Sequence, residues 1–97
     1  MSRPLNPEAT ALIERYLDAM WMEKGLSENS LAAYRRDLRS FARWSARRSP
    51  SLCAASRADL QAYLGSLLTA GKSPRTAARS LSCLRGFYRY LLRSGDV

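Results

Sequence analysis

Residues 27–44, SENSLAAYRRDLRSFARW, determine the fold class of this chain. Their large apolar side chains recur at intervals of three and four residues, which is the spacing of one face of an α-helix. Ser27 is a typical helix N-cap, and Glu28 favours the positive end of the helix dipole. The stretch therefore predicts an amphipathic helix over residues 28–47, with an apolar stripe made of Leu31, Tyr34, Leu38 and Phe41.

Three further segments, residues 8–24, 57–70 and 74–94, show helical periodicity between start and stop signals. Because no segment alternates apolar and polar side chains over a useful length, we expect an all-α fold of four helices without a strand. Ninety-seven residues amount to a single domain, residues 1–97. The predicted core side chains of these three helices are Leu12, Ile13, Tyr16, Leu17, Met20, Leu60, Tyr63, Leu64, Leu67, Leu68, Ala77, Leu81, Leu84, Phe87, Tyr88 and Leu91.

The sequence also predicts roles for the longest connector and for the aromatic residues. Residues 49–55 form the longest connector, and we interpret them as a hinge between two helical hairpins. Tyrosine and phenylalanine side chains on the apolar stripes are expected to pack in the core rather than stack on bases. Trp21, Trp44 and Tyr90 lie at stripe edges, where they cover a hairpin junction or contact another domain.

Several function classes are excluded by residues that the sequence lacks. There is no His, which removes His-based triads and His-ligated zinc. Cys53 and Cys83 lie thirty positions apart, which matches no metal or redox spacing, so both are expected to be reduced, mostly buried side chains. We expect no metal and no cofactor. With no apolar run of membrane-spanning length and no signal peptide, we expect a soluble, cytoplasmic protein.

Charge is distributed unevenly along the chain. The 16 Lys and Arg residues outnumber the 8 Asp and Glu residues, which gives a net charge of +8. Residues 1–26 sum to −1 and residues 27–97 to +9. Fourteen of the cations are Arg, the cation best suited to bidentate contacts with phosphate and guanine. An excess of this size in a small domain indicates an anionic partner, most commonly nucleic acid, with a generic basic surface as the alternative.

The second and fourth helices hold most of this positive charge on their outer faces. On the second helix the Arg side chains centre roughly 150° from the apolar stripe. Like charges at i,i+4 repel each other, and no acids are interleaved along these outer faces to offset the repulsion. Binding of an external anion would therefore relieve the repulsion. Ser82 and Gly86 leave room for a phosphate backbone or mark the crossing of another helix. The outward cations are Arg35, Arg36, Arg39 and Arg43 on the second helix and Arg75, Arg79, Arg89 and Arg93 on the fourth, where Arg85 lies nearer the border of the apolar stripe.

These two helices also repeat a pattern at an offset of 46 residues. Residues 38–44, LRSFARW, align with residues 84–90, LRGFYRY, and the caps Ser27 and Ser73 have the same offset. The match is explained either by chance, since amphipathic Arg-rich helices tend towards such strings, or by duplication. In both cases two similar helices would present one continuous basic surface.

Read in order, four blocks resemble the N-terminal core-binding, SAM-like domain of tyrosine recombinases, closest to the XerD-type bacterial site-specific recombinases. The blocks are WMEKGLSENSL at residues 21–31, YRRDL at 34–38, ARSLS at 78–82 and LRGFYRYL at 84–91. The resemblance extends from about Leu12 to Ser94. It implies a four-helix domain of two crossed hairpins that forms half of a clamp around duplex DNA. It further implies a role in chromosome dimer resolution together with a second recombinase subunit.

The resemblance also implies which residues face the DNA major groove. They lie at the start of the second helix and in the first turns of the fourth: Asn29, Ser30, Ala33 and Arg36, then Lys72, Ser73, Arg75, Thr76, Arg79 and Ser82. The charge pattern adds Arg35, Arg39, Arg43 and Arg85 to this candidate site. Ser30 departs from the family, which more often has Thr at this position.

The recombinase resemblance does not extend to catalysis in this chain. Family enzymes cut DNA with a Tyr nucleophile and with Arg, Lys and His residues of a second domain, and no His is present here. We therefore expect a monomeric fragment without catalytic residues that ends near the interdomain linker. A basic protein-interaction domain that binds an acidic partner is the first alternative. A self-contained enzyme is disfavoured, because the chain also lacks a phosphate-binding Gly-rich loop.

Overall fold

The computed structural model of the protein describes residues 5–49 and 51–95. It contains four α-helices, α1 (Pro7–Lys24), α2 (Glu28–Ser45), α3 (Arg57–Thr69) and α4 (Pro74–Ser94), and one 3₁₀ turn (Leu52–Ala54). No strand occurs within the described ranges. The all-α prediction is confirmed, and each predicted helix boundary lies within two residues of the observed one.

Local side-chain chemistry explains where the helices begin and end. Asn6 caps α1 by accepting a hydrogen bond of 2.7 Å from the Glu8 amide, and Pro7 occupies the first turn. Gly25 then ends α1 with φ of 62°, a left-handed conformation that glycine adopts without strain. The predicted capping box of α3 is present, because Ser56 and Asp59 each bond the other's backbone amide.

The helices form two hairpins, α1 with α2 and α3 with α4, and α4 also packs across α1 and α2. Phe41 of α2 and Phe87 of α4 are fully buried at the centre. Phe41 makes an edge-to-face contact with Tyr63 at 5.2 Å between ring centroids, and Phe87 makes one with Tyr16 at 5.5 Å. The aromatic residues predicted for the core thus contribute ring contacts that join all four helices.

The prediction for α3 is partly wrong, since Tyr63 is its one buried residue. Leu60, Leu64 and Leu67 are half-buried, and Leu68 is 48% exposed. The physical reason is that α3 packs mainly against α4 and touches α2 only lightly. A helix that packs against one principal neighbour buries fewer of its apolar side chains than its sequence periodicity predicts.

The described part of the connector between α2 and α3, residue 49 and residues 51–55, packs on the core, and its role as a hinge stays a prediction. Leu52 is buried in the core, and its carbonyl accepts a hydrogen bond of 2.6 Å from Tyr88 Oη. Burial raises the pKa of Tyr88 above its ordinary range. Ser49 Oγ donates to Asp59 Oδ2 at 3.3 Å, which ties the connector to the start of α3 as well.

Cys53 and Cys83 form no disulfide in the part of the chain that the structure describes. Cys83 is buried beside α2, where its Sγ lies 3.9 Å from the Tyr34 carbonyl oxygen, and Cys53 is half-buried. Burial raises the pKa of Cys83 to about 12. Cys83 therefore serves as a small apolar packing group.

Candidate nucleic-acid interface

α2 and α4 begin with the same arrangement of hydroxyl groups. Ser27 Oγ accepts a hydrogen bond of 3.2 Å from the Ser30 amide, and Ser73 Oγ accepts one of 3.2 Å from the Thr76 amide. Each capping hydroxyl also donates to the side-chain hydroxyl three residues later, at 3.1 Å to Ser30 and 3.0 Å to Thr76. The offset of 46 residues therefore relates two equivalent helix starts whose hydroxyls are fixed by the caps.

An ion pair joins the two helices where they meet. Arg79 Nε donates to Asp37 Oδ2 at 3.1 Å, and Arg79 Nη2 donates to Asp37 Oδ1 at 3.2 Å. The Asp37 side chain is 9% exposed and the Arg79 side chain 47%. Hydrogen bonding to this carboxylate raises the pKa of Arg79, which keeps its charge fixed. The outer stripe of α4 has no interleaved acid, as the sequence indicated, but Arg79 is neutralised by an acid of α2.

Asp37 is not among the predicted site residues, although its position in the sequence indicates a buried acid. It lies three residues after Tyr34 and four before Phe41, and therefore on the apolar side of α2. A carboxylate at such a position requires a partner, because burying an unpaired charge is costly. The partner is Arg79, forty-two residues further along the chain.

Ten predicted site residues, Arg79 among them, are called the α2–α4 face below. At about 100° per residue, those within α2 and α4 lie on the arc of each helix that contains Asp37 or Arg79, and Lys72 and Ser73 directly precede α4. Seven of them are exposed, and Ser30, Ala33 and Thr76 are half-buried. The face comprises Asn29, Ser30, Ala33, Arg36, Lys72, Ser73, Arg75, Thr76, Arg79 and Ser82.

Arg35 and Arg39 lie on the opposite flank of α2, towards α1, which corrects their assignment to one outward stripe. Arg35 donates two hydrogen bonds of 2.8 Å to the carboxylate of Glu14. Arg39 Nη2 lies 3.9 Å from the same carboxylate, and Arg39 Nε is buried without a hydrogen-bond partner among the described residues. Hydrogen bonding by Arg35 lowers the pKa of Glu14, which favours its charged form. Sequence analysis missed this pairing because Glu14 belongs to a different helix.

The remaining predicted cations are exposed at the margins of the α2–α4 face. Arg43 continues the outer line of α2 beyond Arg36, and Arg85 lies on the part of α4 turned away from α2. Within the described ranges, neither Arg43 nor Arg85 makes an ion pair, and the same holds for Arg36 and Arg75. These guanidinium groups are therefore available to an external anion.

Gly86 does not belong to an open groove. A Cβ atom at this position would lie 2.7 Å from Tyr16 Oη, so Gly86 allows α1 to approach α4. Of the two explanations offered by the sequence, helix crossing is confirmed for Gly86. Ser82, one turn earlier, is exposed.

The three aromatic residues at stripe edges have different surroundings. Trp44 stacks on Phe41 with ring centroids 6.0 Å apart, and the Arg48 guanidinium lies 4.7 Å from the Trp44 ring centroid. Tyr90 packs on Tyr16 at 5.5 Å. Trp44 also packs on Tyr63 of α3 with ring centroids 5.4 Å apart, so Trp44 and Tyr90 lie where the two hairpins meet, whereas Trp21 is 52% exposed near the end of α1.

Comparison with known proteins matches residues 13–95 to the family described as phage integrase, N-terminal SAM-like domain. "Tyrosine recombinase XerD" of Pseudomonas putida is 50% identical over 82 residues, which cover 84% of this chain and 28% of that protein. The protein of the same name from Xanthomonas campestris pv. campestris is 44% identical over 92 residues, 95% of this chain and 28% of that protein. The chain thus spans under a third of the length of these curated relatives. No solved structure matches it. No helix in the described part of the chain is long and apolar enough to span a membrane.

Proposed function

The chain belongs to the phage integrase N-terminal SAM-like domain family, and we propose that it is the DNA-binding half-clamp of a XerD-like site-specific tyrosine recombinase. The observation that supports this function best is the α2–α4 face. Its exposed cations stand beside hydroxyls fixed by two equivalent helix caps. Its central acid, Asp37, is nearly buried and paired with Arg79.

Duplex DNA is the anion that suits this surface. Guanidinium groups on two helices that cross provide several phosphate contacts at once, together with donors for guanine edges. Arg36, Lys72, Arg75 and Arg79 are the central cations, and Arg43 and Arg85 extend the contact to flanking phosphates. Arg35 and Arg39 add to the long-range positive potential, which Glu14 partly neutralises.

The domain contributes binding and positioning to the recombinase reaction. DNA cleavage and joining belong to other parts of the recombinase. The parent protein works with a second recombinase subunit in resolving chromosome dimers, in the cytoplasm where bacterial chromosomes reside. The isolated domain is a monomer.

Fluorescence anisotropy with a labelled recombination half-site and a random duplex of equal length tests this function. Arg75→Ala should weaken binding to the half-site, by about tenfold or more if Arg75 contacts a base edge. Arg57→Ala is the matched control, because Arg57 is also exposed but begins α3. Equal losses in the two variants would show that net charge alone drives binding.

Competition distinguishes this function from an acidic protein partner. If the domain instead binds an acidic protein, polyglutamate at equal charge concentration should displace the labelled half-site, whereas a face that recognises duplex DNA should retain it. Failure of the wild-type domain to bind any duplex at low salt would overturn the proposed function.

A further inference from the structure

We infer that Asp37 is a positioning residue for DNA recognition, which holds the Arg79 guanidinium with its free edge presented to the duplex. This inference rests on the proposed function and deepens it by naming a residue that does not itself touch DNA. Its basis is the bidentate ion pair at the junction of α2 and α4.

The hydrogen-bond pattern leaves Arg79 able to bind a second group. A guanidinium has five N–H donors, and the two bonds to Asp37 use the Nε–H and one Nη2–H. The remaining donors lie on Nη2 and Nη1, and the Arg79 side chain is about half exposed. This outer edge has the fork geometry that binds phosphate or guanine through two parallel hydrogen bonds.

Asp37 fixes the direction of that fork. Its own side chain is nearly buried on the apolar side of α2, next to the fully packed Leu38 and Phe41. An Arg side chain that is free in solvent loses rotamer entropy when it binds a ligand. Arg79 has already lost much of this freedom in the unbound protein, so less is lost on DNA binding.

Simple electrostatics predicts the opposite effect of Asp37 on binding. A carboxylate close to incoming phosphates repels them, so Asp37→Asn, which raises the net charge by one, should strengthen DNA binding if charge alone matters. Positioning predicts that the same substitution weakens binding. The sign of the change therefore separates the two explanations.

The experiment measures half-site and random-duplex affinities by fluorescence anisotropy for wild type, Asp37→Asn, Arg79→Ala and the double variant. Asp18→Asn is the matched control, because it makes the same chemical change at an exposed position of α1. We expect Asp37→Asn to weaken half-site binding by about two- to twelvefold, the range given by immobilising one long side chain. Asp18→Asn should bind as tightly as wild type or slightly more tightly.

The double variant shows whether Asp37 acts through Arg79. We expect Asp37→Asn to cause no further loss in the Arg79→Ala background, whereas an independent structural effect would lower affinity in both backgrounds. Arg79→Lys provides a second test that leaves the charge and an ion pair in place. It should lose half-site affinity with an unchanged salt dependence, because an ammonium lacks the fork.

Each outcome has a defined meaning. Half-site binding by Asp37→Asn that equals or exceeds that of wild type would overturn the positioning role while leaving the proposed function intact. Wild-type affinity in Arg79→Lys would do the same, and it remains informative if Asp37→Asn unfolds, which circular dichroism reports. If the wild-type domain binds no duplex, the proposed function itself fails.

Discussion

Substituting Gly86 by Ala tests the packing of α1 against α4, and its effect on stability should change sign with the residue at position 16. Gly86 lies in the interior of α4, where Ala is the better helix former by roughly 0.5–1 kcal/mol. The added Cβ would lie 2.7 Å from Tyr16 Oη, closer than non-bonded atoms allow. Helix propensity and packing therefore oppose each other at this position.

Packing outweighs propensity because the Tyr16 ring has little room to move. It is 3% exposed and held between Phe87 and Tyr90, each at 5.5 Å between ring centroids. Overpacking a well-filled core costs roughly 1–3 kcal/mol, which exceeds the gain in helix propensity. We therefore expect Gly86→Ala to lower the free energy of unfolding by about 0.5–2 kcal/mol.

Removing the Tyr16 hydroxyl should reverse this effect. In a Tyr16→Phe background the next atom of the ring, Cζ, lies 3.8 Å from the added Cβ, an ordinary van der Waals contact. Gly86→Ala should then raise the free energy of unfolding by roughly 0.5–1 kcal/mol through propensity alone. Gly65→Ala in α3 is the matched control, because nothing lies within 4 Å of its Cβ position, and it should stabilise in both backgrounds.

Thermal and urea denaturation followed by circular dichroism measure these differences. A change of 1 kcal/mol moves Tm by about 4–8 °C in a domain of this size. The same sign for Gly86→Ala in both backgrounds would refute the reasoning, because the clash would then not involve the Tyr16 hydroxyl.

Three further predictions follow from the contacts of individual side chains. Arg43→Ala should make the slope of log affinity for duplex DNA against log salt concentration shallower by about one unit. Arg39→Ala should change this slope less, because the Arg39 guanidinium that it removes lies near Glu14. Glu14→Gln should lower the free energy of unfolding at pH 7 by up to ~1 kcal/mol. Because the pKa of Glu14 is depressed in the folded protein, its contribution is present above the ordinary value of 4.5 and is lost as the pH falls through the folded pKa. Urea titrations of the variant and the wild type should therefore converge at low pH. Cys83 should resist alkylation at pH 8 until the protein unfolds, as mass spectrometry of labelled protein would show.

The four helices were predictable because their boundaries depend on neighbouring residues. Each helix begins directly after a capping side chain, which can be recognised in the sequence. The four caps are Asn6, Ser27, Ser56 and Ser73. Burial on α1 followed from periodicity, because α1 has neighbours along most of one face. On α4 the prediction was only partly right, since Leu81 and Tyr88 are half-buried. The exposed Leu68 shows where periodicity fails, because how much of α3 is covered depends on other helices.

For the candidate site, the sequence predicts only what helical phase determines, namely which side chains lie on the outside of a helix. Phase distinguishes the inside of α2 from its outside, but the two flanks of its outer face look alike in sequence. Arg35 and Arg36 are adjacent in sequence, yet Glu14 holds the first towards α1 while the second stays exposed near Asp37. The partners of these cations come from other helices, and only the packed structure identifies them.

The repeat between α2 and α4 explains how a small domain maintains a defined surface. Leu38 and Leu84 are each 1% exposed, and Phe41 and Phe87 are each 0% exposed, so residues at the offset of 46 occupy equivalent depths in the core. Since all four side chains belong to one buried cluster, core packing sets the separation of the outer cations of the two helices. Leu52 of the connector belongs to the same cluster, and its carbonyl accepts the hydrogen bond from Tyr88 Oη. Substitutions that spare both this core and the Asp37–Arg79 ion pair should thus change the strength of the proposed DNA binding without changing the geometry of the α2–α4 face.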